Sequence, residues 1–249
     1  MSIEPFSQVR PADGDRHAWW VLASLVPPPA GGVAFRVPAG FDDIVRIHHP
    51  LHGDETWGSI DAVRDLRRES TLPSPLPDEL VAVEGELDDV SVDALVPALR
   101  RATDTPDLVH FAQWTGWGDL HRGSQTTTVY SPDLEQWEVD RQTARRAASA
   151  EIVYSFVESC PQVEWWGGRT MFLFDGPVDA VATVGVGSIF DPGRLRRRCP
   201  QWWWPGDRSW FVATEIDDPC TYVAGDERLI SDVESLGLDT VRVRATDRW

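Results

Sequence analysis

The chain of 249 residues contains no lysine and no asparagine, so all 23 of its basic residues are arginines. Without lysine, the protein has no side-chain amine that could act as a nucleophile or form a Schiff base. It also has only three cysteines, Cys160, Cys199 and Cys220, which lie far apart in the sequence. An odd number of widely spaced cysteines argues against a disulfide framework and against a thiolate zinc site.

Long apolar stretches are missing as well. No uninterrupted apolar run approaches the roughly 20 residues that a membrane-spanning helix needs. The first 17 residues are polar and lack the apolar segment of a signal peptide. We therefore expect a cytoplasmic protein whose cysteines stay reduced.

Negative charge is in large excess: 40 acidic residues oppose 23 basic ones, for a formal net charge of −17. This excess argues against binding to nucleic acid and to anionic membranes, because both require an attractive field. The general explanation of such a charge is solubility. The more specific explanation is a basic protein partner, for which an acidic surface raises the rate and specificity of association.

Hydrophobic patterns predict strands and helices that intermix without strict alternation. The strands are expected at residues 17–26, 32–37, 44–51, 107–120, 151–159, 168–176, 209–217, 221–225 and 240–245. The helices are expected at residues 59–70, 91–104, 132–150, 177–185 and 227–237. This order predicts an α+β fold, with a mixed, mainly antiparallel sheet packed by several helices.

One domain is expected over residues 17–249, preceded by a flexible segment over residues 1–16. A division into two lobes stays open. Its boundary would lie near residues 71–90, where three prolines are followed by acidic residues without a basic one.

Five potential metal ligands lie within eight residues of the segment IHHPLHGDE, namely His48, His49, His52, Asp54 and Glu55. Imidazole and carboxylate together suit zinc or iron. However, Pro50 blocks a helix that would align these histidines, and His48 and His49 point to opposite faces of a strand. A site would need a further ligand such as His110 or His121. We therefore predict no metal and no cofactor, and we keep the weak ligand candidates His48, His49, His52 and Asp54.

The segment QWWWPGDRSWFVATEID, residues 201–217, contains four tryptophans and ends in two carboxylates. In an extended strand Glu215 and Asp217 share a face about 7 Å apart, within the range of an inverting glycosidase. They are the weak catalytic candidates. The strand is nevertheless apolar on both faces before it reaches them, and residues 202–204 are placed in a connection because Pro205 and Gly206 follow. We favour indoles that fill the core over an indole-lined binding wall.

A second aromatic segment, WTGWGDLH, alternates tryptophans with glycines and ends in an acid. Its indoles could stack on a sugar or a base, although a place at a sheet edge or in the core is favoured. The candidate binding residues of the whole chain are Trp114, Trp117, Asp119, Trp203 and Arg208. The arginine run RLRRR, residues 194–198, is predicted to lie in a loop, where it either binds an anion or neutralises acids of the same protein.

Residues 41–50, 108–121, 169–181 and 202–230 together resemble a group of actinobacterial proteins without an assigned activity. The most specific part is an aromatic-Pro-x-Asp-Arg-x-Trp block followed by Thr-Glu-Ile-Asp, here WPGDRSW and TEID. The chain departs from the pattern at residues 224–226, where Gly and Ser are expected, and fits least over residues 122–163. The resemblance implies a bacterial, cytosolic, single-domain protein and gives no residue a catalytic role.

These features predict a non-catalytic interaction protein, such as an immunity or antitoxin-like partner of a basic effector. The prediction rests on the charge, on the acidic segment 78–93, and on the absence of G-x-S-x-G and P-loop motifs. The alternative is a carboxylate- or metal-dependent hydrolase that acts on a small polar or glycosidic substrate.

Overall fold

A computed structural model describes residues 4–26, 32–50, 84–122, 136–165, 168–188 and 194–247. Within these ranges the strands are β1 (Arg10–Pro11), β2 (Asp43–His48), β3 (Val109–Trp114), β4 (Gln162–Trp165), β5 (Arg169–Gly176), β6 (Gly185–Gly187), β7 (Leu195–Arg197), β8 (Trp202–Pro205), β9 (Phe211–Thr214), β10 (Cys220–Gly225) and β11 (Thr240–Val243). The α-helices are α1 (Trp19–Ser24), α2 (Asp89–Arg101), α3 (Gln136–Ser159) and α4 (Glu227–Glu234). Short 3₁₀ helices cover Arg16–Ala18, Val33–Phe35, Gly118–Leu120 and Val178–Thr183.

One sheet organises the described chain. Its strands follow the order β1-β5-β3-β8-β9-β10-β2-β11, and β4 pairs with β5 beside β1. All of these pairings are antiparallel. Strands β6 and β7 form a separate antiparallel pair. The predicted α+β class with a mainly antiparallel sheet is confirmed.

Both faces of the sheet are buried. One face, with Phe111, Trp203 and Val212, packs against α2, α4 and the C-terminal half of α3. The other face, with Trp202, Trp204 and Phe211, packs against α1 and the segment around Val33. A strand buried on both sides reads as a continuous apolar run, because neither face needs polar side chains. Each fully buried indole removes about 150–250 Å² from water, an upper estimate of about 4–6 kcal/mol.

The three consecutive tryptophans belong to this sheet and not to a connection, so that part of the prediction was wrong. Residues 202–204 lie in β8 and have exposed fractions of 2, 0 and 1%. Their side chains alternate between the two core layers. The preference for core over an open indole wall is confirmed by this burial.

Three predicted strands were also wrong. Residues 17–26 and 32–37 contain α1 and a 3₁₀ turn, and residues 151–159 continue α3. In the first segment Ala18, Val21 and Leu25 are buried, and this spacing of three and four residues is helical. β-branched and aromatic residues favour strands in isolation, but the need to cover a sheet face overrides that preference here.

Most of the other predicted elements are found. The predicted helix 91–104 appears as α2, although its N-cap is Asp88, whose carboxylate accepts hydrogen bonds from the amides of Val90 and Ser91. The arginine run includes β7 instead of lying in a loop. The predicted helix 59–70 and most of the suggested boundary at 71–90 lie outside the described residues.

The N-terminal segment makes contacts with the sheet and the core. The expected flexibility of residues 1–16 stays a prediction, while Arg10 and Pro11 pair with β5 as an edge strand. Phe6 is buried in the core and stacks on Phe156, with 4.5 Å between ring centroids. The described part of this segment therefore packs against the domain.

Candidate functional site

Polar side chains gather at the two ends of the sheet. Because the strands are antiparallel, Arg169 at the start of β5, Trp114 at the end of β3 and Glu215 after β9 meet at one end. His110, Asp175 and Asp207 lie at the opposite end. The residues predicted from sequence are divided between these two ends.

The two candidate catalytic carboxylates, Glu215 and Asp217, lie at the first end and both bind one arginine. Strand β9 ends at Thr214, so Glu215 and Asp217 lie in a turn. The Arg169 guanidinium donates Nε–H to Glu215 Oε1 at 2.9 Å and also binds the Asp217 carboxylate. Burial raises the pKa of Glu215, opposed by hydrogen bonds from the Asp217 amide and Arg169. The point where an inverting glycosidase holds a water molecule is thus filled by a cation.

The aromatic segment at the same end holds a second arginine. The guanidinium of Arg198 lies over Trp117, 4.3 Å from the ring centroid, and Trp117 packs edge-on against Trp114. Arg198 also binds Asp119 at 2.6 Å and Glu86 at 2.8 Å. The indoles and Asp119 are thereby engaged within the protein.

The neighbouring Arg197 binds Asp93 and lies 3.5 Å from Asp89. Together with Arg198, it is neutralised by acids of the same chain. Of the two interpretations of the arginine run, internal neutralisation therefore fits these two residues.

The histidine cluster does not assemble a metal site in the part that can be described. His49 is fully buried, and its Nε2 lies 2.8 Å from the hydroxyl of Thr221. His48 lies 3.6 Å from Asp239. His52 and Asp54 lie outside the described residues, among which no group of three or more potential ligands occurs.

The last two candidate binding residues have contrasting positions. Trp203 has no exposed surface and contributes to the core, so it offers nothing to a partner. Arg208 is exposed, adopts a left-handed backbone conformation with φ of 57°, and lies over Trp20 with 5.0 Å to the ring centroid.

A pocket of about 200 Å³ lies beside Arg208 at the second end of the sheet. It is formed by the end of α2, the turn after β8 and the start of α4. Its charged lining consists of four aspartates and two arginines: Asp104, Asp207, Asp226, Asp232, Arg101 and Arg228. We call it the acidic pocket.

Backbone amides fix the geometry of the acidic pocket. The Asp207 carboxylate accepts hydrogen bonds from the Thr103 hydroxyl, the Asp104 amide and the Ser209 amide. Partial burial opposes ionisation, but these hydrogen bonds lower the pKa of Asp207. Asp226 caps α4 by accepting from the Leu229 amide at 2.8 Å. Backbone amides therefore hold both carboxylates in place.

Arg101 binds Asp232 at 3.1 Å, an exposed pair that leaves three aspartates of the pocket without a bound arginine among the described residues. Sequence reasoning singled out none of these four aspartates. From the sequence alone, Asp207 is recognisable as a turn residue and Asp226 as a helix N-cap. Nothing in the sequence shows that residues more than 100 positions apart share a pocket.

No family model matches the chain, and neither a curated protein nor a solved structure matches it. The resemblance to the actinobacterial group therefore stays a prediction. Within the described ranges no helix is both long and apolar enough to cross a membrane.

Proposed function

We propose that the chain is a cytoplasmic, non-catalytic interaction protein of the immunity or antitoxin type, and that it binds a basic partner through the acidic pocket. The observation that supports the proposal is the convergence of four aspartates from three separate segments on one pocket. Two of them are oriented by backbone amides before any partner arrives. A preorganised site of this kind loses little conformational freedom on binding.

The rest of the charge distribution favours the same partner class. A net charge of −17 creates an attractive field for a cation at distances beyond direct contact. At 0.15 M salt that field is screened beyond about 8 Å, so the pocket itself must supply the specific contacts. A guanidinium or ammonium group fits the acidic pocket because its four aspartates outnumber its two arginines. Each carboxylate can also accept further hydrogen bonds.

The hydrolase alternative has less support. Glu215 and Asp217 hold the guanidinium of Arg169 between them, so they do not frame an open position for substrate or water. The candidate metal ligands His48 and His49 do not belong to a cluster of three among the described residues. We therefore base the proposal on the acidic pocket alone.

Calorimetric titration with a hexa-arginine peptide tests the proposal. We expect the wild-type protein to bind at low salt, and binding to weaken as salt rises. The double variant Asp104→Asn/Asp226→Asn removes two charges and keeps the helix cap, because asparagine caps as well as aspartate. It should bind about two- to thirty-fold more weakly, at about 0.2–1 kcal/mol for each exposed contact.

The matched control is Glu4→Gln/Glu164→Gln, which makes the same charge change at two exposed positions away from the pocket. It should bind the peptide almost as the wild type does. Equal weakening by both double variants would assign binding to the overall charge and refute the role of the pocket.

A further inference from the structure

A row of side chains crosses four strands at the second end of the sheet, on the face opposite α2. In the antiparallel register Arg10 lies opposite Asp175, Asp175 opposite His110, and His110 opposite Trp204. Directly opposed residues of antiparallel strands share a face, so these four side chains are neighbours on one surface. None of them lines the acidic pocket.

A buried aspartate orients the histidine of this row. His110 Nδ1 lies 2.7 Å from Asp175 Oδ1, and both residues are buried. An ionised carboxylate can only accept, so Nδ1 carries the proton and Nε2 is directed away from Asp175. The exposed ring of His17 stacks on His110, with 4.3 Å between centroids and 17° between planes. Asp175 therefore fixes the buried His110 ring, and the His17 ring stacked on it is exposed to solvent.

Three exposed arginines without acidic partners lie on the segments that contribute to this row or cover it. Arg10 begins the row, Arg16 precedes His17, and Arg208 lies over Trp20, which packs edge-on against Trp204. No described carboxylate oxygen lies within 4.0 Å of any of these three guanidinium groups. Acidic residues outnumber basic ones by 17 in this chain, so three arginines without acidic partners at this end of the sheet need an explanation.

We propose that this surface, formed by Arg10, Arg16, His17 and Arg208 above His110, binds a small oxyanion with two negative charges, such as a phosphate group. Planar guanidinium groups match phosphate oxygens with pairs of hydrogen bonds. His110 is a positioning residue: it holds the His17 ring by stacking and is itself held by Asp175.

The charge of the ligand follows from the surroundings. Asp13 and Asp15 lie on the same segment as Arg16, and they weaken the local positive field. An anion also meets repulsion from the net charge of the protein once it comes within about one Debye length of the surface, where salt no longer screens that charge. A doubly charged oxyanion gains about twice as much as a singly charged one from each arginine contact, so it is the class of anion that we expect here.

Titration of the full-length protein with inorganic phosphate, followed by the imidazole signals in ¹H–¹³C NMR spectra, tests the site. Sulfate and acetate at equal ionic strength show whether two charges are required. We expect saturable shifts of the His17 and His110 signals with phosphate and sulfate, and none with acetate. Arg10→Gln/Arg16→Gln should weaken phosphate binding by about 1.4- to five-fold for each arginine lost.

The matched control is Arg244→Gln. The guanidinium of Arg244 is also exposed and pairs with no acid among the described residues, but the residue follows β11 at the other lateral edge of the sheet. Binding unchanged in this variant supports the site, and equal weakening refutes it. Arg208→Gln provides a second, single variant should the double variant fail to fold. Absence of saturable shifts in the wild-type protein overturns the proposal without affecting the acidic pocket, which shares none of these residues.

Discussion

Replacement of Arg198 by methionine should destabilise the protein more than any other single arginine substitution in the run 194–198. Arg198 is 5% exposed and lies between the carboxylates of Glu86 and Asp119, which are 16% and 27% exposed. Removing one partner of a buried ion pair leaves an uncompensated charge and costs about 3–5 kcal/mol. For a chain of this size that loss lowers the melting temperature by about 6–20 °C.

The pH dependence of this loss identifies its cause. Burial raises the pKa of Glu86, and the attraction of Arg198 opposes that rise. A carboxyl whose pKa is raised by folding favours the native state below its ordinary pKa, and this contribution disappears as pH rises through the raised value. Without Arg198 the pKa of Glu86 rises further. The Arg198→Met variant should therefore lose more stability at pH 8 than at pH 5, relative to the wild type.

Urea unfolding at both pH values, followed by tryptophan fluorescence, measures the effect. The control is Arg196→Met. Arg196 is 59% exposed and its contact with Asp119 is loose, at 3.7 Å, so its loss should cost at most about 1 kcal/mol. Adding Glu86→Gln to Arg198→Met should recover part of the stability, since it removes the buried charge. Equal costs for the two arginine variants, or a cost independent of pH, would show that Arg198 acts by packing on Trp117 alone.

Two further predictions concern the thiols and the turn after β8. Burial raises the pKa of Cys160, Cys199 and Cys220 to about 12, so all three thiols should resist Ellman's reagent in the native state and react together once urea unfolds the protein. Rapid labelling of one thiol in the native protein would contradict this. Arg208→Gly should be about 1 kcal/mol more stable than Arg208→Ala, because both lose the contact with Trp20 but only alanine keeps the left-handed strain. Equal unfolding midpoints would show that the turn relaxes in the variants.

The sequence predicts the strands of the sheet better than the helical segments that pack on its faces. Strands such as β5 and β10 are recognised because their apolar residues are continuous and bounded by glycine or a turn. The helical cover over residues 16–24 is missed because its tryptophans and valine favour strands locally. Its burial at Ala18, Val21 and Leu25 is set by the sheet face that it must cover, and that face is built from residues far away in the chain.

The net charge of the protein indicates a binding partner only after the acids that form ion pairs within the same chain have been discounted. The acidic segment 78–93 looks like a docking surface in the sequence, yet its Glu86 and Asp93 bind Arg198 and Arg197. The aspartates that remain available are brought together by three separate segments. Composition can predict a basic partner, but it cannot say which acids are already used.

The block WPGDRSW, the most specific part of the family resemblance, has structural roles that do not require catalysis. Gly206 donates its amide to the Leu108 carbonyl, and the Trp210 indole donates to the Leu99 carbonyl at 3.0 Å. Between them, Asp207 orders the loop after α2, and Arg208 lies over Trp20 on the other side. One turn thus joins the sheet to both covering layers. The same turn places Asp207 in the acidic pocket and Arg208 over Trp20, so one short segment contributes a residue to each of the two proposed sites.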